Sequence, residues 1–216
     1  MRTTGAVIFD LDGVIVDSEP HHEQAFHDVM ADLGYGDSHG MRFRDYMGRT
    51  DSELWVDFVA RHQPPHSVEE MMALKRARVI EMVRRAEPIF AGLPELVEKL
   101  AERWPLAVAS GTQCEIIEAV LSLKDLRRFF RVVLSSAEVA RGKPAPDVFL
   151  RAAELLGVAP EDCWVIEDSR SGVAAGLAAG MRVIAITNSH PADGLLDATH
   201  VVKTYEEIGR LLLGVA

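Results

Sequence analysis

Four times after residue 92 the chain repeats one step: apolar residues at helical spacing, then a short and wholly apolar run. Leu93, Leu96, Val97 and Leu100 precede Leu106-Ala107-Val108-Ala109, and Ile116 to Leu121 precede Val132-Val133-Leu134. Val148 to Leu156 then lead to Trp164-Val165-Ile166, and Val173 to Ala179 to Val183-Ile184-Ala185-Ile186. Runs so short and so uniformly apolar suit strands buried on both faces, and helices alternating with them make the sheet parallel. Gly157, Pro160 and Gly180 mark helix ends. A further run, Ala6-Val7-Ile8-Phe9, lies near the N-terminus, and Tyr205 to Leu213 reads as a last packed helix. The expected fold class is α/β with a parallel sheet.

Between the first strand and Leu93 the pattern changes. Phe26, Val29, Met30 and Leu33 recur at helical spacing, as do Leu54, Phe58 and Val59, and no strand pattern intervenes. Residues 18–87 are therefore expected to form an all-helical insertion, a cap, bounded by Glu19-Pro20 and Glu87-Pro88, where proline disfavours helix in the preceding residue. Residues 1–17 and 88–216 form the core. Within the insertion Gln63-Pro64-Pro65-His66 is a turn, Met71, Met72 and Met82 are core, and Lys75 and Arg76 lie on a solvated face.

Composition excludes several classes of function. Asp and Glu number 33 against 23 Lys and Arg, a net charge of -10 that opposes association with nucleic acid or anionic lipid. No stretch reaches the eighteen or so apolar residues of a membrane span, and Met1-Arg2-Thr3-Thr4 does not open a signal peptide, so a cytoplasmic protein is expected. Cys114 and Cys163 are too few for a disulfide framework and read as reduced, small buried side chains.

The chemistry gathers at strand ends. Asp10-Leu11-Asp12-Gly13 follows the first run, Ser110-Gly111-Thr112 the second, and Glu167-Asp168-Ser169 the run ending at Ile166. Ligands of open α/β sheets bind beyond these carboxyl ends. Two carboxylates two residues apart beside an apolar sheet repel each other, which a divalent cation between them relieves. Lys143, in Arg141-Gly142-Lys143-Pro144-Ala145-Pro146, stands just ahead of a helix from Asp147 to Leu156 and adds the positive charge. With a hydroxyl and amides at a helix start to cradle an anion, the set describes phosphoryl transfer. A calcium loop is excluded by Val14, which stands where an oxygen ligand is needed, and no Walker glycine spacing precedes Lys143. Asp17 and Ser18 are assigned structural roles at the hinge, and His200 has no ligand-like partner for a metal.

Asp10-Leu11-Asp12-Gly13-Val14, Ser110, Lys143 and Glu167-Asp168, in order and spacing, resemble the four motifs of the haloacid dehalogenase superfamily. The helical insertion and Ser169-Arg170-Ser171-Gly172-Val173-Ala174-Ala175-Gly176 resemble its β-phosphoglucomutase-like branch. The resemblance implies a Rossmann-like parallel sheet flanked by helices, with an inserted α-helical cap, and a phosphatase of small phosphate monoesters such as sugar phosphates or phosphoglycolate-like metabolites. It implies that Asp10 is the nucleophile and that Asp12 is acid and then base. Lys143, with Ser110 and Gly111, binds phosphate. Mg2+ is held by Asp10, the Asp12 carbonyl and Asp168, with Glu167 assisting. From the cap, His22, the pair Glu19 and His21, and Arg49 are expected to face substrate.

Dehalogenation is disfavoured because Asp12 is present, and phosphonate cleavage because no suitable lysine lies near Asp10 or Gly48. A hexose-phosphate mutase is the alternative, weakened by Met47 and Asp51 where basic residues are expected and by Gln113-Cys114 after the second motif. A noncatalytic phosphate sensor is a second alternative, disfavoured by the complete motif set. A monomer or weak homodimer is expected.

Overall fold

A computed structural model describes residues 5–46 and 51–214. In chain order, β1 (Ala6–Phe9) is followed by helices α1 (Glu19–Asp32), α2 (Asp51–His62) and α3 (Val68–Ala86). Then come α4 (Leu93–Ala101), β2 (Leu106–Ser110), α5 (Cys114–Ser122), β3 (Phe130–Ser135), α6 (Asp147–Leu156), β4 (Cys163–Glu167), α7 (Arg170–Ala178), β5 (Arg182–Ile186), β6 (His200–Val202) and α8 (Tyr205–Leu213). The chain divides into two compact units, one up to Asp17 and from Pro88 onward, the other Ser18–Glu87.

The first unit is a six-stranded sheet in the order β3-β2-β1-β4-β5-β6, with every described pair parallel. Ile8 sits level with Ala107 on one side and Val165 on the other. Every residue of β1, β2 and β4 is buried, which is why their sequences are continuous apolar runs with no polar alternation. The chain winds outward from β1 through β2 to β3, then returns to the opposite side of β1 at β4. That reversal leaves the carboxyl ends of β1, β2 and β4 side by side at a topological switch point. Ser110 and Glu167, expected just beyond their strands, are the last residues of β2 and β4. Three-residue β6 is too short to announce itself as an apolar run.

The helical unit packs Phe26, Val29, Met30, Met41, Leu54, Trp55, Phe58 and Met71 into its own core, with Leu33, Val59 and Met72 against it. α3 begins after the Pro64-Pro65 connection at a capping box, where Ser67 Oγ accepts from Glu70 N at 3.2 Å and Ser67 N donates to Glu70 Oε2 at 2.7 Å. Two expectations fail here. Lys75, assigned to a solvated face, is 1 % exposed, because Met71, Lys75, Val79 and Val83 recur every four residues on the buried stripe of α3. Arg76 is half-buried. In the other unit Cys114, expected to be buried like Cys163, is exposed. It opens α5 at the sheet edge, and its Sγ donates to Glu138 Oε1 at 3.4 Å.

Candidate active site

Asp10 leaves β1 with its backbone N–H still donating to Ile166 O at 2.9 Å, so the ladder with β4 delivers it beside Glu167 and Asp168. Lys143 Nζ donates to Asp10 Oδ1 at 2.5 Å and to Glu167 Oε1 at 2.7 Å, and lies 4.8 Å from the centre of the buried Phe149 ring. Its side chain is 10 % exposed, as is that of Asp10, and that of Glu167 is fully buried. The segment carrying Lys143 is held by Arg141, which donates to both carboxylate oxygens of Asp147 at 2.8 and 3.2 Å, and by Ala145 N donating to Gly142 O at 3.0 Å.

Glu167 is saturated by its surroundings. Its Oε2 accepts from Asp168 N at 2.9 Å, Ser169 N at 3.0 Å and Ser169 Oγ at 2.9 Å, and its Oε1 from Lys143. The first turn of α7 wraps so closely on this carboxylate that a Cβ on Gly172 would overlap it, which is why a glycine stands there.

Oxygen atoms of Asp10, Glu167 and Asp168 lie within 4.8 Å of one another. Burial drives the Asp10 carboxyl well above the ordinary range, against the pull of Lys143, with the charges of Glu167, Asp12 and Asp168 adding to the rise. Burial, then Glu167, raises Asp168 to about 7, while a hydrogen bond from Ser189 lowers it. Burial also opposes the charge on Lys143, but Asp10 and Glu167 outweigh it and hold the ammonium above its usual value. Acids whose ionised forms are disfavoured this strongly, presenting only oxygen donors, fit a hard divalent cation.

Asp12 sits on the loop after Asp10, and its Oδ2 accepts from Thr112 Oγ1 in a short hydrogen bond. Ser110 Oγ accepts from Thr112 N at 3.0 Å, and Ser135 Oγ and Ser136 Oγ donate to the carbonyls of Thr112 (2.7 Å) and Gly111 (3.2 Å). The loop after β2 is thus braced from β3 and turned toward Asp12. Gly13 has φ +75°, and a Cβ there would overlap the Asp168 carboxylate. Leu11, Val14, Ile15 and Val16 are buried beneath.

The structure therefore gathers Asp10, Asp12, Ser110, Gly111, Lys143, Glu167 and Asp168 at one sheet edge. His22, in the helical unit, has its Nδ1 3.4 Å from Lys75 Nζ, and Lys75 also lies 5.2 Å from the Phe43 ring centre. Arg49 and Met47 fall outside the described residues. Residues missed by the sequence reading are Thr112 as partner of Asp12, Lys75, Asn188, Ser189 and Tyr205. The four-residue spacing of the α3 stripe would have flagged Lys75, and the strand-end rule applied to β5 would have flagged Asn188-Ser189.

Fold and site together define an α/β enzyme whose chemistry is built on clustered carboxylates at a sheet edge. Residues 7–186 match the family described as haloacid dehalogenase-like hydrolase, and the chain belongs to that family. It is 37 % identical over 185 residues to hexitol phosphatase B of Escherichia coli (strain K12), covering 84 % of this chain and 82 % of that protein. It is 33 % identical over 187 residues to fructose-1-phosphate phosphatase YqaB of the same organism, covering 82 % and 94 %. Among solved structures, mutant CbbY from Rhodobacter sphaeroides in complex with xylulose-(1,5)bisphosphate superposes with a TM-score of 0.84 at 25 % identity, covering 95 % of this chain and 96 % of that one.

Proposed function

We propose that the protein is a magnesium-dependent phosphatase that hydrolyses a small sugar or polyol phosphate through an aspartyl phosphate on Asp10. It is a hydrolase of phosphate monoesters. The observation that carries the reading is Lys143 held between Asp10 and Glu167 with Asp168 in the same cluster. Relatives named hexitol phosphatase and fructose-1-phosphate phosphatase support the substrate class.

Asp10 attacks phosphorus as the ester P–O bond breaks, and Asp12 donates its proton to the departing alkoxide. Asp12, now ionised, takes a proton from water, whose oxygen attacks phosphorus and returns the Asp10 carboxylate with inorganic phosphate. Thr112 holds Asp12 for both proton transfers. Lys143 neutralises the phosphoryl oxygens, with Ser110 and Gly111 binding them as well, and Glu167 keeps Lys143 in place. The Asp10 and Asp168 carboxylates and the Asp12 carbonyl would hold magnesium, which would supply charge screening at the phosphoryl group. Glu167, whose oxygens already accept four hydrogen bonds, would support that site indirectly. The helical insertion acts as a cap that selects the organic part of the ester, with His22, Lys75 and Arg49 as its polar groups. The same reading makes this a cytoplasmic enzyme, a monomer or weak homodimer.

The test is a panel of sugar, polyol and small-acid phosphates incubated with the protein and Mg2+. Release of inorganic phosphate is expected. Isomerised sugar phosphate without release would instead identify a mutase, and tight phosphate binding with no turnover of any ester a sensor. Asp10→Asn should abolish turnover, and undiminished activity in that variant would rule Asp10 out as nucleophile.

A further inference from the structure

We propose that Asn188, Ser189 and Tyr205 are positioning residues that lock the loop carrying Asp12 to the Asp168 carboxylate and thereby set the cation site. The inference rests on the phosphatase reading above for its consequence, but its geometry stands on separate residues. Beyond β5 the ladder continues for one bond, Thr187 N to Val202 O at 3.0 Å, and the chain then leaves the carboxyl edge of the sheet. There the Asn188 amide donates to Gly13 O at 2.8 Å and to the Tyr205 hydroxyl at 3.0 Å, and that hydroxyl donates onward to Val14 O at 2.7 Å. One amide and one phenol so fix two successive carbonyls of the loop that begins at Asp10. The next residue, Ser189, brings its Oγ against the same stretch of loop that faces the Asp168 carboxylate. A Cβ placed on Gly13 would stand 2.5 Å from Ser189 Oγ and overlap Asp168, so loop backbone, serine and carboxylate are already in close packing.

Tyr205 is itself fixed by sequence. Thr204 and Glu207 form a capping box, with Glu207 N donating to Thr204 Oγ1 at 3.3 Å and Thr204 N to Glu207 Oε2 at 3.1 Å, and this sets where α8 starts. Tyr205 is buried, yet its hydroxyl is spent on the loop carbonyl; a phenylalanine would pack the same ring. Asn188 and Ser189 are exposed residues with no part in the buried core, so the reach of their side chains to the loop is not explained by folding alone.

Three variants decide the matter: Ser189→Ala, Asn188→Ala and Tyr205→Phe. Each is measured by calorimetric titration of Mg2+ into substrate-free protein, by kcat and KM at saturating Mg2+, and by thermal melting. Partners of ligating groups typically change metal affinity or activity by about 10- to 100-fold. Ser189→Ala should weaken Mg2+ binding by about 10-fold, with recovery in Ser189→Thr, which restores the hydroxyl. Tyr205→Phe and Asn188→Ala should lower kcat by about 10- to 100-fold while KM stays within about twofold. Lower melting temperatures with Mg2+ affinity and kcat both within about twofold of wild type would overturn the lock and leave these residues a structural role. Wild-type protein that binds Mg2+ but hydrolyses no ester would sink the phosphatase reading, while the calorimetric comparison of Ser189→Ala and Ser189→Thr still judges the lock. Wild-type protein with no measurable Mg2+ binding would overturn both.

Discussion

Each unit encloses a lysine, one at the sheet edge and one on a buried helix stripe. Lys143, in the α/β unit, contacts two carboxylates, Asp10 and Glu167, at 2.5 and 2.7 Å. Lys75, in the helical unit, is 1 % exposed and lies against the Nδ1 of His22 and the face of Phe43. An ammonium withdrawn from water loses several kcal/mol of solvation, which close, hydrogen-bonded anions offset. Carboxylates anchored by backbone amides, as Glu167 is, therefore fix Lys143 in place before any substrate arrives. The ammonium of Lys75 has an imidazole nitrogen and an aromatic ring face within reach, on the buried stripe of α3. The contrast sets a lysine locked between carboxylates at the sheet edge, where the proposed chemistry needs a fixed positive charge, against one packed in the helical insertion that is proposed to select the ester.

The contrast is broken most directly by removing each lysine. Lys143→Met should reduce phosphate release by about 10³-fold, because it deletes a preorganised cation from a buried anionic site. A loss below tenfold would mean that Lys143 is not the group neutralising the phosphoryl oxygens. Gly172→Ala tests the same cation through its holder. The alanine favours the α7 helix by about 1 kcal/mol, yet its Cβ overlaps the Glu167 carboxylate and must displace it. Activity should fall by about 100-fold, and wild-type turnover would show that Glu167 need not stay where it is to hold Lys143. Lys75→Met, which keeps a similar side-chain volume, should lower kcat/KM by about tenfold on the best sugar phosphate. Unchanged kcat/KM across the ester panel would remove Lys75 from substrate selection.

The two lysines were unequally legible. Strand ends are easy to place from apolar runs, so Asp10, Asp12, Glu167 and Asp168 follow from the rule that α/β sites lie beyond carboxyl edges. Lys143 gains meaning from the same set, and from the helix that begins at Asp147. Lys75 is harder to place, because its residue type points to solvent while its position in the four-residue stripe of Met71, Val79 and Val83 points inward. Asn188 and Ser189 lie at a strand end too, but β5 offers no acid there to draw attention. Tyr205 reads as an ordinary core residue, because nothing local reveals that its hydroxyl reaches a carbonyl 191 positions away. The Thr112 to Asp12 bond spans 100 positions and depends on β1 and β2 being neighbours. Cys114 shows the converse, a residue type that is usually buried placed by its helix start at an exposed edge.

The smallest effect expected is also the one that best separates the units, because it has a sign. Burial and the charge of Glu167 raise Asp168 to about 7 in the folded, metal-free protein, against an ordinary value of 3.8. The folded state then holds a proton that the unfolded chain has released. Stability from that proton is fully present below about pH 4 and is lost as pH rises through about 7. Metal-free protein should accordingly melt about 3–6 °C lower at pH 8 than at pH 5. Saturating Mg2+ should suppress the slope, and Mg2+ affinity should rise over the same interval as binding ceases to displace the proton. Asp168→Asn should make the metal-free profile shallower, leaving the part due to Asp10, and weaken the response to Mg2+. His21, His22, His27, His39, His62 and His66 all belong to the helical unit, against two histidines elsewhere. A histidine kept neutral by burial would make stability increase with pH near 6.5, the opposite direction. A slope that rises with pH would move the dominant titration out of the acidic cluster, and a falling slope that survives undiminished in Asp168→Asn would move it from Asp168 to Asp10, which burial also raises.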